Sequence, residues 1–437
     1  MAIFITIAGI LLLVFLISYF RIHTFLAFLL AAMAIGLALG MEHLPLMQAI
    51  QNGIGSTLGS IVGIIALGAM LGKIIGASGA TQQISSKMIE LVGTKHIRWA
   101  FMITGFIVGL PLFYSVGFML IVPLAITVAH RYKLSAVYVS LPLLASLAVT
   151  QGYLPPHPAP LYLVKQLHAD MGLTLFYGII ISIPAILISG ALYGSTVKGY
   201  TTEPNLSFVA PQLPAEALPS VLISFLAVLL PIILIGVSTI VTPYLADGTL
   251  LKSFFLFIGD ATVSLLIAVL FASLTLGTFK GKSNQQISQY FVDAVKDVAG
   301  LFLIFGGAGA LKQVLSDGGV SQTIADYLQH SHLDPYVLGW SIAAVIRVCV
   351  GSSTVAGITT AGFIVPLLSN PAINPNLMVL SIGAGSMMFS HVNDTGFWLF
   401  REYFQLSMKD TIKTWSVMDT LVSVTGLLGV LVLAWLL

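Results

Sequence analysis

Two polar clusters interrupt otherwise apolar sequence in the last quarter of the chain. Gly351-Ser352-Ser353-Thr354-Val355-Ala356-Gly357 offers three hydroxyls. Ser390-His391-Val392-Asn393-Asp394-Thr395-Gly396 offers an imidazole, an amide, a carboxylate and further hydroxyls. Such groups can hydrogen-bond a polyhydroxylated ligand and exchange a proton with it or with water. Asp394 is the sharpest residue of the set. Low-dielectric surroundings penalise a charged carboxylate, so Asp394 is a candidate proton carrier, with His391 as a partner. The same carboxylate equally suits the N-cap of a half-helix beginning near Phe397. Arg347, one turn before the hydroxyl cluster, can pair with Asp394 or with a substrate carboxylate, or extend toward a wet cavity.

The first half of the chain holds two similar interruptions. Tyr114 and Ser115 sit with Pro111 in the middle of an apolar stretch over 99–130. Thr150 and Gln151 precede Pro155, Pro156 and Pro158, which bracket His157. Proline lacks an amide donor and clashes with the preceding turn, so no helix continues through that cluster. The expected substrate contacts are therefore Tyr114, Ser115, Thr150, Gln151, His157, Ser352, Ser353, Thr354, His391, Asn393 and Thr395. Their chemistry fits a small carboxylate bearing hydroxyls. Asp170, Asp260 and Asp419 are read instead as helix caps or span ends.

Composition sets the surroundings of these breaks. The chain is 57% hydrophobic with 8% charged residues and a mean hydropathy of +1.01. An average soluble domain carries about 25% charged residues. The implied class is an all-α polytopic membrane protein lying in the lipid bilayer, with residues 1–20 as its first span. A polar break at membrane depth is tolerated only where it is buried in protein or lines a wet cavity, which makes each one a candidate substrate or ion site. The net charge of +2 and the lack of a long basic cluster exclude a nucleic-acid partner. The single cysteine, Cys349, excludes an intrachain disulfide and a cysteine metal site. His157 and His391 lack a third metal ligand at usable spacing. No cofactor motif or enzyme constellation stands out. An integral-membrane enzyme with a titratable cluster facing one side is the alternative class.

Segments near 66–124 and 306–367 repeat one another. Gly68-Ala69-Met70-Leu71-Gly72-Lys73 parallels Gly307-Ala308-Gly309-Ala310-Leu311-Lys312, Trp99 falls opposite Trp340, and Ile121-Val122-Pro123-Leu124 parallels Ile364-Val365-Pro366-Leu367. Each copy is expected to hold a re-entrant hairpin, over 99–130 with its tip at 110–116 and over 340–369 with its tip at 351–357. Each also holds a broken transmembrane helix. Lys95, Arg98, Arg131 and Lys133 place both ends of the first hairpin in the cytoplasm, while the second has no Lys or Arg at its ends. The copies then form two inverted repeats: residues 1–197 and 219–437, joined by a cytoplasmic linker over 198–218, with both termini periplasmic. Other expected spans cover 54–72, 254–279, 298–311 and 416–437. Polar helices over 81–91 and 321–329 are expected along the membrane surface, the first burying Ile84, Met88 and Leu91 on one face.

These residues resemble the gluconate:proton symporter (gluconate permease) family over nearly the whole chain. The specific pieces are 68–73 with Gly79, Leu112-Phe113-Tyr114 with Val116-Gly117-Phe118, 154–158, Gly351-Ser352 with Thr354-Val355-Ala356, and Ser390 with Asn393-Asp394 and 396–400. The resemblance implies import of gluconate or a related sugar acid with protons across the bacterial inner membrane, with D-serine in one branch. It implies an elevator-like motion and a homodimer. Two positions depart from the family pattern: Ser115 stands where an acidic residue is common, and Gln151 where some gluconate transporters have His. If that acidic residue is the family's proton site, coupling here moves to Asp394, passes to another ion, or is lost.

Overall fold

The computed structural model describes residues 2–200, 213–320, 334–365, 368, 370–391 and 394–437, and all regular structure among them is helical. The first half runs α1 (Ala2–Ser18), α2 (Thr24–Ala38), α3 (His43–Ala77), α4 (Ala80–Val92), α5 (Ile97–Gly109), α6 (Tyr114–Arg131), α7 (Ala136–Tyr153), α8 (Pro158–Gln166) and α9 (Met171–Thr196). The second runs α10 (Val221–Val241), α11 (Leu250–Gly259), α12 (Ala261–Lys280), α13 (Asn284–Asp317), α14 (Pro335–Val350), α15 (Ser353–Ile364), α16 (Pro375–Gly385), α17 (Thr395–Phe404) and α18 (Met408–Leu436). Among the described residues, 7 helical segments are long and apolar enough to cross a bilayer. Leu222, Ile240, Phe257, Leu270 and Trp435 are large apolar side chains left exposed, as a lipid-facing surface requires. The protein is an all-helical polytopic membrane protein.

The two longest helices cross backbone to backbone. A Cβ on Gly53 would lie 2.3 Å from the carbonyl oxygen of Gly309, and one on Gly309 would lie 2.3 Å from that of Gly53. Only glycine permits this approach, as at small-residue crossings in membranes. Farther along, Lys73 Nζ meets Asp297 Oδ2 at 2.9 Å. Numbers rise along α3 from Gly53 to Lys73 while their partners fall from Gly309 to Asp297, so α3 and α13 run antiparallel. These are the helices that carry the repeated glycine–lysine motif.

A second close crossing lies nearer the site. A Cβ on Gly383 of α16 would sit 2.2 Å from the Gly152 carbonyl oxygen of α7. Both helices are buried almost all round, and their continuously apolar sequence fits that position.

Several expected boundaries shift. Helix α3 begins at His43 rather than at 54, and α13 begins at Asn284 rather than at 298. At 35 and 34 residues they run roughly 50 Å at about 1.5 Å per residue, longer than the roughly 30 Å hydrocarbon core. The span expected over 254–279 is divided at Asp260, whose carboxylate accepts from the amides of Thr262 and Val263 to start α12. Asp170 caps α9 through the Leu173 amide. On α4, Ile84 and Met88 are buried as expected but Leu91 is 66% exposed, so its apolar face is narrower. The helix expected over 321–329 lies outside the described residues.

Candidate functional site

Four helices begin where the apolar sequence breaks. After α5 ends at Gly109, Pro111 prevents continuation and α6 restarts at Tyr114. Helix α7 stops at Tyr153 before Pro155 and Pro156, and α8 starts at Pro158, where proline suits the first helical position. Gly351, with φ of 82°, closes α14, and the Ser352 hydroxyl accepts from the Val355 amide at 3.3 Å to start α15. Asp394 Oδ1 accepts from the Gly396 amide at 3.0 Å to start α17. Both tips are tighter than expected, because helix resumes at Tyr114 and Ser353.

These four starts border one cavity of about 220 Å³. Phe113 and Tyr114 come from the start of α6, His157 and Pro158 from α8, Ser353 and Thr354 from α15, and Asp394 and Gly396 from α17. Gln151, Arg347, Trp415 and Asp419 complete its polar rim. Unpaired amides and positive dipole ends at four helix N-termini favour an anion in this space.

Hydrogen bonds tie each broken helix to a hairpin. His157 Nε2 donates to the Gly109 carbonyl at 2.6 Å, and His391 Nε2 donates to the Val348 carbonyl at 2.9 Å. Gln151 Nε2 donates to Ser353 Oγ at 2.9 Å and joins the two halves. Arg347 donates through Nη1 to the Gly351 carbonyl and through Nη2 to Asp394 Oδ2 at 2.5 Å. The same Nη2 lies 3.7 Å from Asp419 Oδ2, with the Arg347 and Asp419 side chains only 3% and 1% exposed. Ser390 Oγ also donates to Asp394 Oδ2 and accepts from Trp415 Nε1 at 2.8 Å.

Four buried polar atoms on this rim have no partner among the described residues: Tyr114 Oη, Gln151 Oε1, Arg347 Nε and Asp419 Oδ1. Burying such atoms unpaired costs about 1–3 kcal/mol each. All four residues line the same cavity, which marks it as a place for ligand or water.

The structure thus gathers Tyr114, Gln151, His157, Ser353, Thr354, Asp394 and Arg347 around the cavity. It does not bring in three other expected contacts. Thr150 donates to the Leu147 carbonyl at 2.9 Å and packs in the interior. Ser352 serves as a helix cap, and His391 braces the second hairpin. Asn393 lies outside the described residues, as do the side chains of Ser115 and Thr395.

Asp419 corrects the sequence reading: it is neither a cap nor a span end. Its helix starts at Met408, with the Ser407 hydroxyl accepting from the Asp410 amide, so Asp419 lies about three turns inside at 3.6 residues per turn. The missed signal was an acid within an apolar span, the same signal that singled out Asp394.

The fold and the sequence have relatives. The Alcanivorax borkumensis YdaH transporter superposes with a TM-score of 0.61 at 17% identity, covering 87% of each chain. Neisseria gonorrhoeae MtrF gives 0.60 at 15% identity, covering 88% of this chain and 84% of its own. These likenesses concern fold alone. In sequence, a high-affinity gluconate transporter of Escherichia coli is 42% identical over 97% of both chains. An L-idonate transporter of the same organism is 41% identical over 97% of both, and a gluconate permease of Bacillus subtilis is 39% identical over 98% of both. The GntP family permease profile matches residues 1–436. The chain belongs to the GntP permease family.

Proposed function

We propose that the protein imports gluconate or a closely related sugar acid, together with protons, by alternating access with an elevator-like movement. The observation that carries this reading is the convergence of four helix starts and four unpartnered polar atoms on one cavity drawn from both halves. The helix starts suit the carboxylate, and Gln151, Ser353, Thr354, Tyr114 and His157 suit the hydroxyls. The relatives named for gluconate and L-idonate point to the same class. Asn393, Ser115 and Thr395 remain in the proposed contact set, with His391 acting through the hairpin it braces.

Charge supplies the argument for proton coupling. Arg347 faces two carboxylates, Asp394 and Asp419. With both ionised, the site is negative before the anion arrives. One unbalanced charge at roughly 4 Å opposes an anion by about 4 kcal/mol at an effective dielectric of about 20. A proton entering with the substrate removes that opposition.

The antiparallel run of α3 and α13 supports two inverted repeats, over 1–197 and 219–437, joined by a linker over 198–218. We place the protein in the bacterial inner membrane with both termini periplasmic, and propose a homodimer. D-serine is the second reading, because the unpartnered Asp419 Oδ1 could take an ammonium where the sugar acid requires a proton. Thermal-shift screening of the purified protein against gluconate, idonate and D-serine tests the assignment. Stabilisation by the sugar acids supports it; a response to D-serine alone overturns it.

A further inference from the structure

We infer that Asp419, rather than Asp394, is the carboxyl that takes up the coupling proton when substrate enters the cavity. The two acids share one guanidinium but differ in how their oxygens are used. Asp394 Oδ2 accepts from Arg347 Nη2 at 2.5 Å and from Ser390 Oγ, and its Oδ1 accepts from the Gly396 amide at 3.0 Å. Three donors, one of them a guanidinium, fill three of its four lone-pair positions. That carboxylate also caps α17 and closes the second hairpin onto the second break. Protonating it would loosen the site that must hold the substrate.

Asp419 has none of these ties. Its Oδ2 is 3.7 Å from Arg347 Nη2, beyond hydrogen-bond length, and its Oδ1 is buried without a partner among the described residues. Asp419 is a residue of the cavity wall, and its Oδ1, which no donor occupies, is the open position for a proton. The titratable and charged groups facing it are Arg347 from α14, Asp394 from the second break, Tyr114 from α6 and Tyr153 from α7. Tyr153 is occupied by the Val422 carbonyl, and Tyr114 Oη is free to accept from or donate to a carboxyl.

A proton from water bonds to Asp419 Oδ1, the site becomes neutral, and the substrate carboxylate enters. On the other side the anion leaves, and Asp419 returns its proton to water. The substrate in this inference rests on the sugar-acid reading above; the proton site does not.

Two measurements on the purified full-length protein test it. A pH-indicator dye in weakly buffered solution reads proton uptake as gluconate binds. Wild type should take up a proton, Asp419→Asn should bind gluconate without one, and Asp419→Glu should restore uptake. Undiminished uptake by Asp419→Asn overturns the inference. Infrared difference spectra between two pH values need no substrate, so they decide for Asp419 even if wild type ignores gluconate and the substrate reading falls. The carbonyl stretch of a protonated carboxyl should appear in wild type, vanish in Asp419→Asn and shift in Asp419→Glu. A band insensitive to both variants overturns the inference, and the Glu variant keeps the test decisive if the Asn variant misfolds.

Discussion

Gln151 Nε2 donates to Ser353 Oγ at 2.9 Å, linking the last turn of α7 in the first half to the first residue of α15 in the second. The other end of the Gln151 amide, Oε1, is buried and unpartnered. One side chain of the cavity lining thus spans the seam between the halves while keeping an acceptor unpartnered.

Gln151→Ala and Ser353→Ala should each weaken gluconate binding by about 1–3 kcal/mol, roughly 5- to 150-fold. Because the two groups share one hydrogen bond, the double variant should lose less than the sum. Binding isotherms of the three variants check this; strict additivity would separate the two residues.

Arg347→Gln should destabilise the protein by about 3–5 kcal/mol, since it leaves the buried Asp419 and the partly buried Asp394 without their cation. Arg347→Lys should not rescue transport, because one ammonium cannot reach the Gly351 carbonyl and Asp394 in the same geometry. Thermal unfolding alongside uptake separates the two effects.

Gly309→Val should disrupt the crossing of α3 and α13, where any Cβ meets the Gly53 carbonyl oxygen at 2.3 Å. Overpacking of this kind typically costs about 1–3 kcal/mol, and here it meets backbone on the opposite helix. The readout is the unfolding midpoint in detergent. A midpoint equal to wild type contradicts the close crossing.

Asp247→Asn should leave both stability and uptake unchanged. Hydrogen bonding and charge from Lys252 hold the Asp247 carboxyl below its ordinary range. A depressed carboxyl stabilises the fold at neutral pH and loses that contribution on acidification, but Asp247 is 96% exposed in the loop before α11 and meets Lys252 in the first turn of that helix, where water screens the pair. Melting curves at neutral and acidic pH should coincide for variant and wild type in their relative shift.

The breaks were legible in the sequence where proline or glycine stands beside polar residues; the lone prolines Pro123, Pro142, Pro184 and Pro231 lie inside helices and mark none. Pro111, Pro155 to Pro158 and Gly351 each end a helix within a few residues of the expected place. Helix lengths were less legible. Gln48, Gln51 and Asn52 look like loop residues, yet α3 runs through them because the helix outreaches the hydrocarbon and its end can be polar. Roles within the breaks depended on partners distant in sequence. His391 turns to Val348 and Thr150 to its own helix, whereas Asp419 arrives beside Arg347 from the last span. No local pattern distinguishes a carboxylate that caps a helix end from one that lies three turns inside.

On the proposed function, a sugar acid occupies the cavity at the four helix starts and moves with protons. Labelled gluconate uptake into proteoliposomes, with and without an imposed inward proton gradient, tests it most directly. Accumulation above the external concentration is expected only when the gradient is present. Uptake of equal extent with and without the gradient, or none in either case, would contradict it.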